Sequence, residues 1–315
     1  MIDRYKIKEK VFSNRGFKTI KTTLKFFITP LAFLGAIFGI RFYKFIHKWL
    51  RPQRISIKRT PEDFGLRYEE VTFLAETPLA LCGWSIPASK KSMRGASPTI
   101  ILCHGWPTNR EEVLNRAEFL VPDYNVFLFD FRALGESPGA YSSFGFYEQN
   151  DLVAALRYLE GRPEVDKAKI GLFGFSMGAS VAIMVGVKFP EVRAIVAESP
   201  YASLDRIIKH VFRKKDFLQR MMVNLAVIVG WFFARVDPRK VSPLEVVENL
   251  NIPLFIIHSR DDTNIPFENS KLIFEAASEP KSIWAPTGSR HGEIINDYPG
   301  EYKKAVKGFF DKYLR

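Results

Sequence analysis

The sequence predicts an α/β fold: a mostly parallel eight-stranded sheet flanked by helices, with a helical cap insertion and an N-terminal membrane helix. Three observations predict it. From about residue 66, short apolar runs alternate with helical stretches, as in a parallel sheet covered on both faces. Residues 200–250 break that rhythm and read as an insertion between two strands. Residues 26–40 carry no charge over fifteen consecutive positions.

The chain opens with a basic segment, 1–25, followed by an expected anchor helix, 26–46, and a basic linker, 47–65. The uncharged run is shorter than the ~20 residues needed to cross the bilayer core. It extends to Ile46 if Arg41 and Lys44 snorkel outward, with Tyr43 and Trp49 near a headgroup layer. A monotopic helix lying in the interface also accommodates the short run and Pro30. A secretory signal peptide fits less well, because the basic stretch before the run is long and no A-x-A-like site follows it. Eight Lys and Arg precede the run and seven follow before residue 60, so charge selects no orientation.

The whole chain has 46 Lys and Arg against 34 Asp and Glu, a net +12. Residues 1–59 hold 15 of the basic residues and only Asp3 and Glu9 as acids, a net +13. The remainder, 31 basic against 32 acidic, is nearly neutral. A nucleic-acid partner is therefore not expected, since such binding needs basic charge on the folded part.

Expected strands of the 66–315 domain are Val71–Glu76, Leu79–Ile86, Thr99–Cys103, Asn125–Phe131, Ile170–Phe175, Ala194–Ala197, Leu254–His258 and Ser282–Ala285. Helical stretches are expected near 109–120, 146–161, 177–188, 267–278 and 298–313. Cys82 and Cys103 each fall within an apolar strand and read as two buried free thiols. No CxxC pair, HExxH motif or clustered histidines occur, so neither metal nor cofactor is implied.

The chemistry centres on Gly174-Phe175-Ser176-Met177-Gly178. An apolar strand precedes it and an Ala/Val-rich helix follows, which makes a sharp turn that exposes the Ser176 hydroxyl. The glycines avoid clashes between strand and helix. G-x-S-x-G arises by chance about 0.1 times in a chain this long, and the strand–helix context sharpens it.

With this turn the sequence resembles the α/β-hydrolase superfamily over residues 66–315, most closely its membrane-anchored Bem46-like and serine-aminopeptidase-like branches. The resemblance implies the chain order nucleophile, acid, histidine. Of His47, His104, His210, His258 and His291, only His291 follows every candidate acid. It lies in a Gly-containing loop after the last expected strand, a place from which an imidazole reaches a serine. The segment His258-Ser259-Arg260-Asp261-Asp262-Thr263-Asn264-Ile265-Pro266 resembles the family's H-G-x-x-D-x-x-V-P, whose register selects Asp262. Asp261 is the alternative one residue away, and Glu198, at the end of the preceding strand, is another.

By the same resemblance the oxyanion hole comprises the backbone N–H groups of Met177 and Trp106. The latter sits in Cys103-His104-Gly105-Trp106, where His104 and Gly105 shape the turn. Asp130-Phe131-Arg132-Ala133-Leu134-Gly135-Glu136-Ser137 resembles the family's D-x-R-G-x-G-x-S, a structural segment, with Ala133 replacing one glycine.

The insertion at 200–250 is read as the family's cap. Its first part is basic, with Arg206, Lys209, Arg213, Lys214, Lys215 and Arg220. The apolar stretch 221–234 is expected to be a cap helix that lines an acyl-sized pocket, rests on the bilayer, or packs on the core. The function that follows is a membrane-associated serine hydrolase acting on a carboxylic ester or thioester with a hydrophobic acyl group, in a small-molecule or lipid-like substrate. A serine peptidase or amidase with the same triad is the alternative, and a non-catalytic membrane-tethered binding protein is a third reading.

Overall fold

The computed structural model describes residues 33, 35–76, 78–90, 95–213, 215–230 and 235–315. The chain divides into two compact units, Met1–His47 and Lys48–Arg315. In the first unit, residues 35–47 are helical. The basic segment 1–25, and residues 26–32 and Leu34 of the expected anchor, lie outside the described residues. Among the described residues no helix is long and apolar enough to cross a membrane. No span is therefore found in the described part of the expected anchor, where Arg41, Lys44 and Lys48 recur every three or four residues along the helix.

The second unit holds one eight-stranded sheet. Its strands are β1 (Glu69–Leu74), β2 (Ala80–Ile86), β3 (Ser97–Cys103), β4 (Asn125–Phe129), β5 (Val165–Phe175), β6 (Val192–Glu198), β7 (Leu254–Ile257) and β8 (Lys281–Trp284), in spatial order β1-β2-β4-β3-β5-β6-β7-β8. The β1–β2 and β2–β4 pairs are antiparallel and all others parallel. Seven strands coincide with an expected apolar run to within two residues at each end, and β5 starts five residues before its run, at Val165.

Burial on both faces explains the composition of the central strands. Ile100, Ile101, Leu102 and Cys103 are all fully buried, as a parallel strand under helices on both sides requires. Helices α1 (Glu148–Glu160) and α2 (Met177–Gly186) pack one face. In the cap, α3 (Leu204–Phe212) and α4 (Phe217–Val229) follow β6, and α5 (Glu268–Ala276) follows β7. The C-terminal α6 (Pro299–Leu314) covers the opposite face through Tyr302, Val306, Phe310 and Leu314, a four-residue spacing that makes one buried stripe. Each such side chain contributes about 1.5–3 kcal/mol on burial.

Residues 48–65 do not behave as a free linker. Leu50 C=O accepts from Ser142 N–H at 2.9 Å, and Ile55 C=O accepts from the Asn109 amide at 2.8 Å. Lys58 N–H donates to Glu111 at 2.7 Å. The segment is therefore laid across the loops that follow β3 and β4. Both cysteines are free thiols, Cys103 fully buried and Cys82 half-buried, on strands that β4 separates.

In the cap, α4 begins earlier than its apolar run, because Asp216 accepts from Gln219 N–H at 2.8 Å and caps the helix there. Met222 and Val223 are buried, whereas Phe217, Met221 and Ile228 are exposed. Residues 231–234 and Lys214 lie outside the described residues.

Candidate active site

Ser176 stands between the last residue of β5 and the first of α2, with φ +55° and ψ −114°. That left-handed backbone is unfavourable for any side chain and persists only where the surroundings impose it. Here a backbone hydrogen bond from Ser176 N–H to Glu198 C=O, 2.8 Å, pins the turn to β6. A Cβ on Gly174 would overlap the Gly178 carbonyl oxygen, and one on Gly178 would overlap the Cys103 carbonyl oxygen. No side chain fits at either position, so the pentapeptide is dictated by the closeness of β5, β3 and α2.

His291 lies in the loop between β8 and α6, and its ring bridges two of the other candidates. Its Nε2 is 3.1 Å from Ser176 Oγ, and its Nδ1 is 2.6 Å from Asp262 Oδ2. The Phe175 ring lies 4.8 Å from the imidazole and packs beside it.

Asp262 follows β7 and is almost wholly buried. Its Oδ1 accepts from Asn264 and Ile265 N–H, both at 2.9 Å. Burial disfavours its charge, but hydrogen bonds from His258 and His291 and the Ile265 N–H hold the carboxyl well below the usual range. Asp261 is exposed, and its carboxylate takes Gly288 N–H at 2.6 Å. It does not meet His291.

Glu198 does not reach His291 either. Its carboxylate is buried in a bidentate pair with Arg116, at 2.8 Å to Nε and 2.7 Å to Nη2, and accepts from Tyr302 Oη at 2.6 Å. Burial and the Glu198 charge raise the Tyr302 phenol well above its ordinary value, so it stays a donor. The same guanidinium donates to Gly292 C=O at 3.2 Å and lies 4.9 Å from the Phe175 ring. Arg116 thereby ties the turn at Ser176 to the His291 loop. No sequence motif singles it out.

Gly105 presses against Ser176, for a Cβ there would lie 3.2 Å from Ser176 Cβ. This brings Trp106 next to the turn. The Trp106 N–H has no protein acceptor among the described residues, and Met177 N–H belongs to the first helical turn, where donors lack intrahelical partners. Glu112, which the sequence also does not flag, braces the loop by accepting from Gly105 N–H at 2.8 Å and Thr108 Oγ1 at 2.5 Å. His104 is buried and accepts from Phe131 N–H at 3.0 Å through Nε2. That assigns the proton to Nδ1, which donates to Gly105 C=O at 2.7 Å. Burial lowers the His104 pKa and keeps it neutral. Ala133 has φ +60°, the conformation that explains why glycine suits this position.

Ser176, Asp262 and His291 all lie beyond the carboxyl ends of parallel strands, where ligands of open α/β sheets bind. A separate cavity lined by Tyr68, Ser85, Thr99, Asn125 and Arg162 is at the opposite ends of the strands and holds none of these groups.

Comparison with known proteins gives a consistent result. The family model for the alpha/beta hydrolase fold matches residues 98–241. The chain is 27% identical over 312 residues to the uncharacterized protein YqkD of Bacillus subtilis, covering 93% of this chain and 97% of that protein. It is 28% identical to YfhR of Escherichia coli K12 over 245 residues, 76% of this chain and 80% of the relative. Among solved structures, the Pyrococcus furiosus esterase Pf2001 matches with 31% identity and a TM-score of 0.68, covering 84% of this chain and 100% of that one.

Proposed function

The chain belongs to the α/β-hydrolase fold family, and on that premise we propose that it is a membrane-associated serine hydrolase cleaving a carboxylic ester or thioester with an apolar acyl group. The observation that carries this reading is the bridge His291 makes between Ser176 Oγ at 3.1 Å and Asp262 Oδ2 at 2.6 Å. The likeness to an esterase at 31% identity supports the substrate class.

In this mechanism Ser176 Oγ attacks the acyl carbonyl while His291 Nε2 takes its proton. The carbonyl oxygen becomes negative as the tetrahedral intermediate forms. Trp106 N–H and Met177 N–H receive that charge, a contribution typically worth roughly 10²–10³ in rate per donor. Asp262 stays ionised, orients the imidazole and stabilises the imidazolium. Collapse of the intermediate breaks the carbonyl carbon–oxygen or carbon–sulfur bond, and His291 returns the proton to the leaving alcohol or thiol. Water, deprotonated by the same imidazole, then cleaves the acyl-enzyme and regenerates Ser176.

Membrane attachment is the second part of the proposal. Phe33, Ile37, Ile40 and Tyr43 are exposed on one helix beside Arg41, Lys44 and Lys48. Apolar and aromatic side chains spaced three and four apart among basic residues suit a helix lying in the plane of an anionic interface.

Fluorophosphonate labelling of the full chain, native and as Ser176→Ala and His291→Ala, tests the chemistry. The expected result is labelling of the native protein that is lost in both variants. A folded native protein that resists labelling would overturn the reading in favour of a non-catalytic binding protein. Competition by p-nitrophenyl esters and by aminoacyl amides then separates esterase from amidase.

A further inference from the structure

Next to the oxyanion turn lies a group of aromatic rings that the chemistry above does not use. The Trp106 indole stacks on Trp49 with centroids 5.6 Å apart and planes inclined by 9°. Phe144 lies 4.8 Å from Trp106, and Phe212, at the end of α3 in the cap, lies 5.4 Å from Trp49. All four side chains are half-buried. They converge from four places in the chain: the entering segment, the loops after β3 and β4, and the cap.

Trp49 is held there by its own segment. Leu50 C=O, Ile55 C=O and Arg54 Nη1 are each bonded to the loops that follow β3 and β4, at 2.9, 2.8 and 3.1 Å. Two features go beyond packing. Phe144 adopts φ +54°, a region that disfavours side chains. The Trp106 Nε1–H is buried with no hydrogen-bond partner among the described residues, although buried indole donors are ordinarily paired. Both are unfavourable arrangements gathered at one aromatic cluster beside the candidate nucleophile.

We infer that Trp49, Trp106, Phe144 and Phe212 form an apolar subsite for the hydrocarbon part of the substrate, with Trp49 setting its chain-length preference. Rigid aromatic faces offer a chain large contact area at low entropic cost. Trp49 supplies a wall from outside the α/β core, so the last turn of the N-terminal helix is part of the substrate site. The inference rests on the serine-hydrolase reading for its kinetic test, and a binding test stands without it.

The kinetic test compares hydrolysis of p-nitrophenyl decanoate and p-nitrophenyl acetate by the full chain, native and as Trp49→Ala and Trp49→Phe. In Trp49→Ala the decanoate-to-acetate ratio of kcat/KM falls roughly tenfold, carried by KM, and Trp49→Phe restores much of it. An equal loss on both esters, or an unchanged ratio, would make Trp49 a packing residue and overturn the inference. Calorimetric titration of decanoate into the native protein and the two variants separates this from the chemistry. If no ester is turned over, weaker decanoate binding in Trp49→Ala still supports the subsite. Equal binding in both, or none in the native protein, refutes it.

Discussion

His258 Nε2 lies 3.3 Å from Asp262 Oδ2, the same oxygen that His291 Nδ1 meets at 2.6 Å. His258 is fully buried, with Nε2 also 2.8 Å from Ile265 C=O and Nδ1 2.6 Å from Ser270 Oγ. Since Nε2 faces two acceptors, it carries a proton, and Nδ1 pairs with the Ser270 hydroxyl. The His258 ring thus steadies the carboxylate from behind while His291 takes its front.

His258→Phe removes that donor and strands both the Ile265 carbonyl and the Ser270 hydroxyl. The expected loss is about 1–3 kcal/mol in urea unfolding, the cost of unpaired buried polar groups. Fluorophosphonate labelling slows without vanishing, because the His291 contact with Ser176 is untouched. Labelling at the native rate would show that Asp262 needs no such support.

Asp262→Asn keeps the shape and removes the charge. Turnover is expected to fall about 10⁴-fold, as when a triad histidine loses its tautomer control. The variant also carries a signature in pH. The native carboxyl sits below its ordinary 3.8, so its charge contributes stability that is present above that value and is lost as pH falls through the folded-state pKa. The native protein's advantage over Asp262→Asn in urea midpoint should therefore shrink between about pH 5 and pH 2. A constant difference across that window would remove Asp262 from the acid response.

Gly178→Ala tests the turn at Ser176. The added methyl overlaps the Cys103 carbonyl oxygen, a backbone atom that cannot swing aside. Destabilisation of about 1–3 kcal/mol is expected on urea unfolding. The fraction that folds should label slowly, because the shift moves Met177 N–H. A variant of native stability would mean that α2 tolerates more space beside β3 than its packing implies.

Arg116→Met leaves the Glu198 carboxylate buried with only the Tyr302 hydroxyl. Breaking one side of a buried pair costs about 3–5 kcal/mol. Arg116→Met combined with Glu198→Gln should recover much of this, and the double-mutant cycle measures the coupling. If the single variant costs no more than a surface change, the ion pair does not hold the histidine loop.

The eight strands and the turn at Ser176 were legible in the sequence because their signals are local. A buried parallel strand needs a run of apolar residues, and a strand-to-helix reversal this tight needs Gly174 and Gly178 within one pentapeptide. Asp262 and His291 were legible as candidates through short motifs and chain order, and the structure brings His291 to Ser176 and Asp262 to His291. Only tertiary structure shows which carboxylate meets the imidazole. Asp261 and Asp262 are adjacent in sequence, yet one faces solvent and the other the imidazole. Glu198 is excluded from the imidazole by Arg116 and Tyr302, residues 82 and 104 positions away. The stacking of Trp49 on Trp106 and the support of Asp262 by His258 are of the same kind. Such pairings leave no periodicity within either segment, since they arise when crossover helices and loops pack onto a common sheet and bring distant residues together.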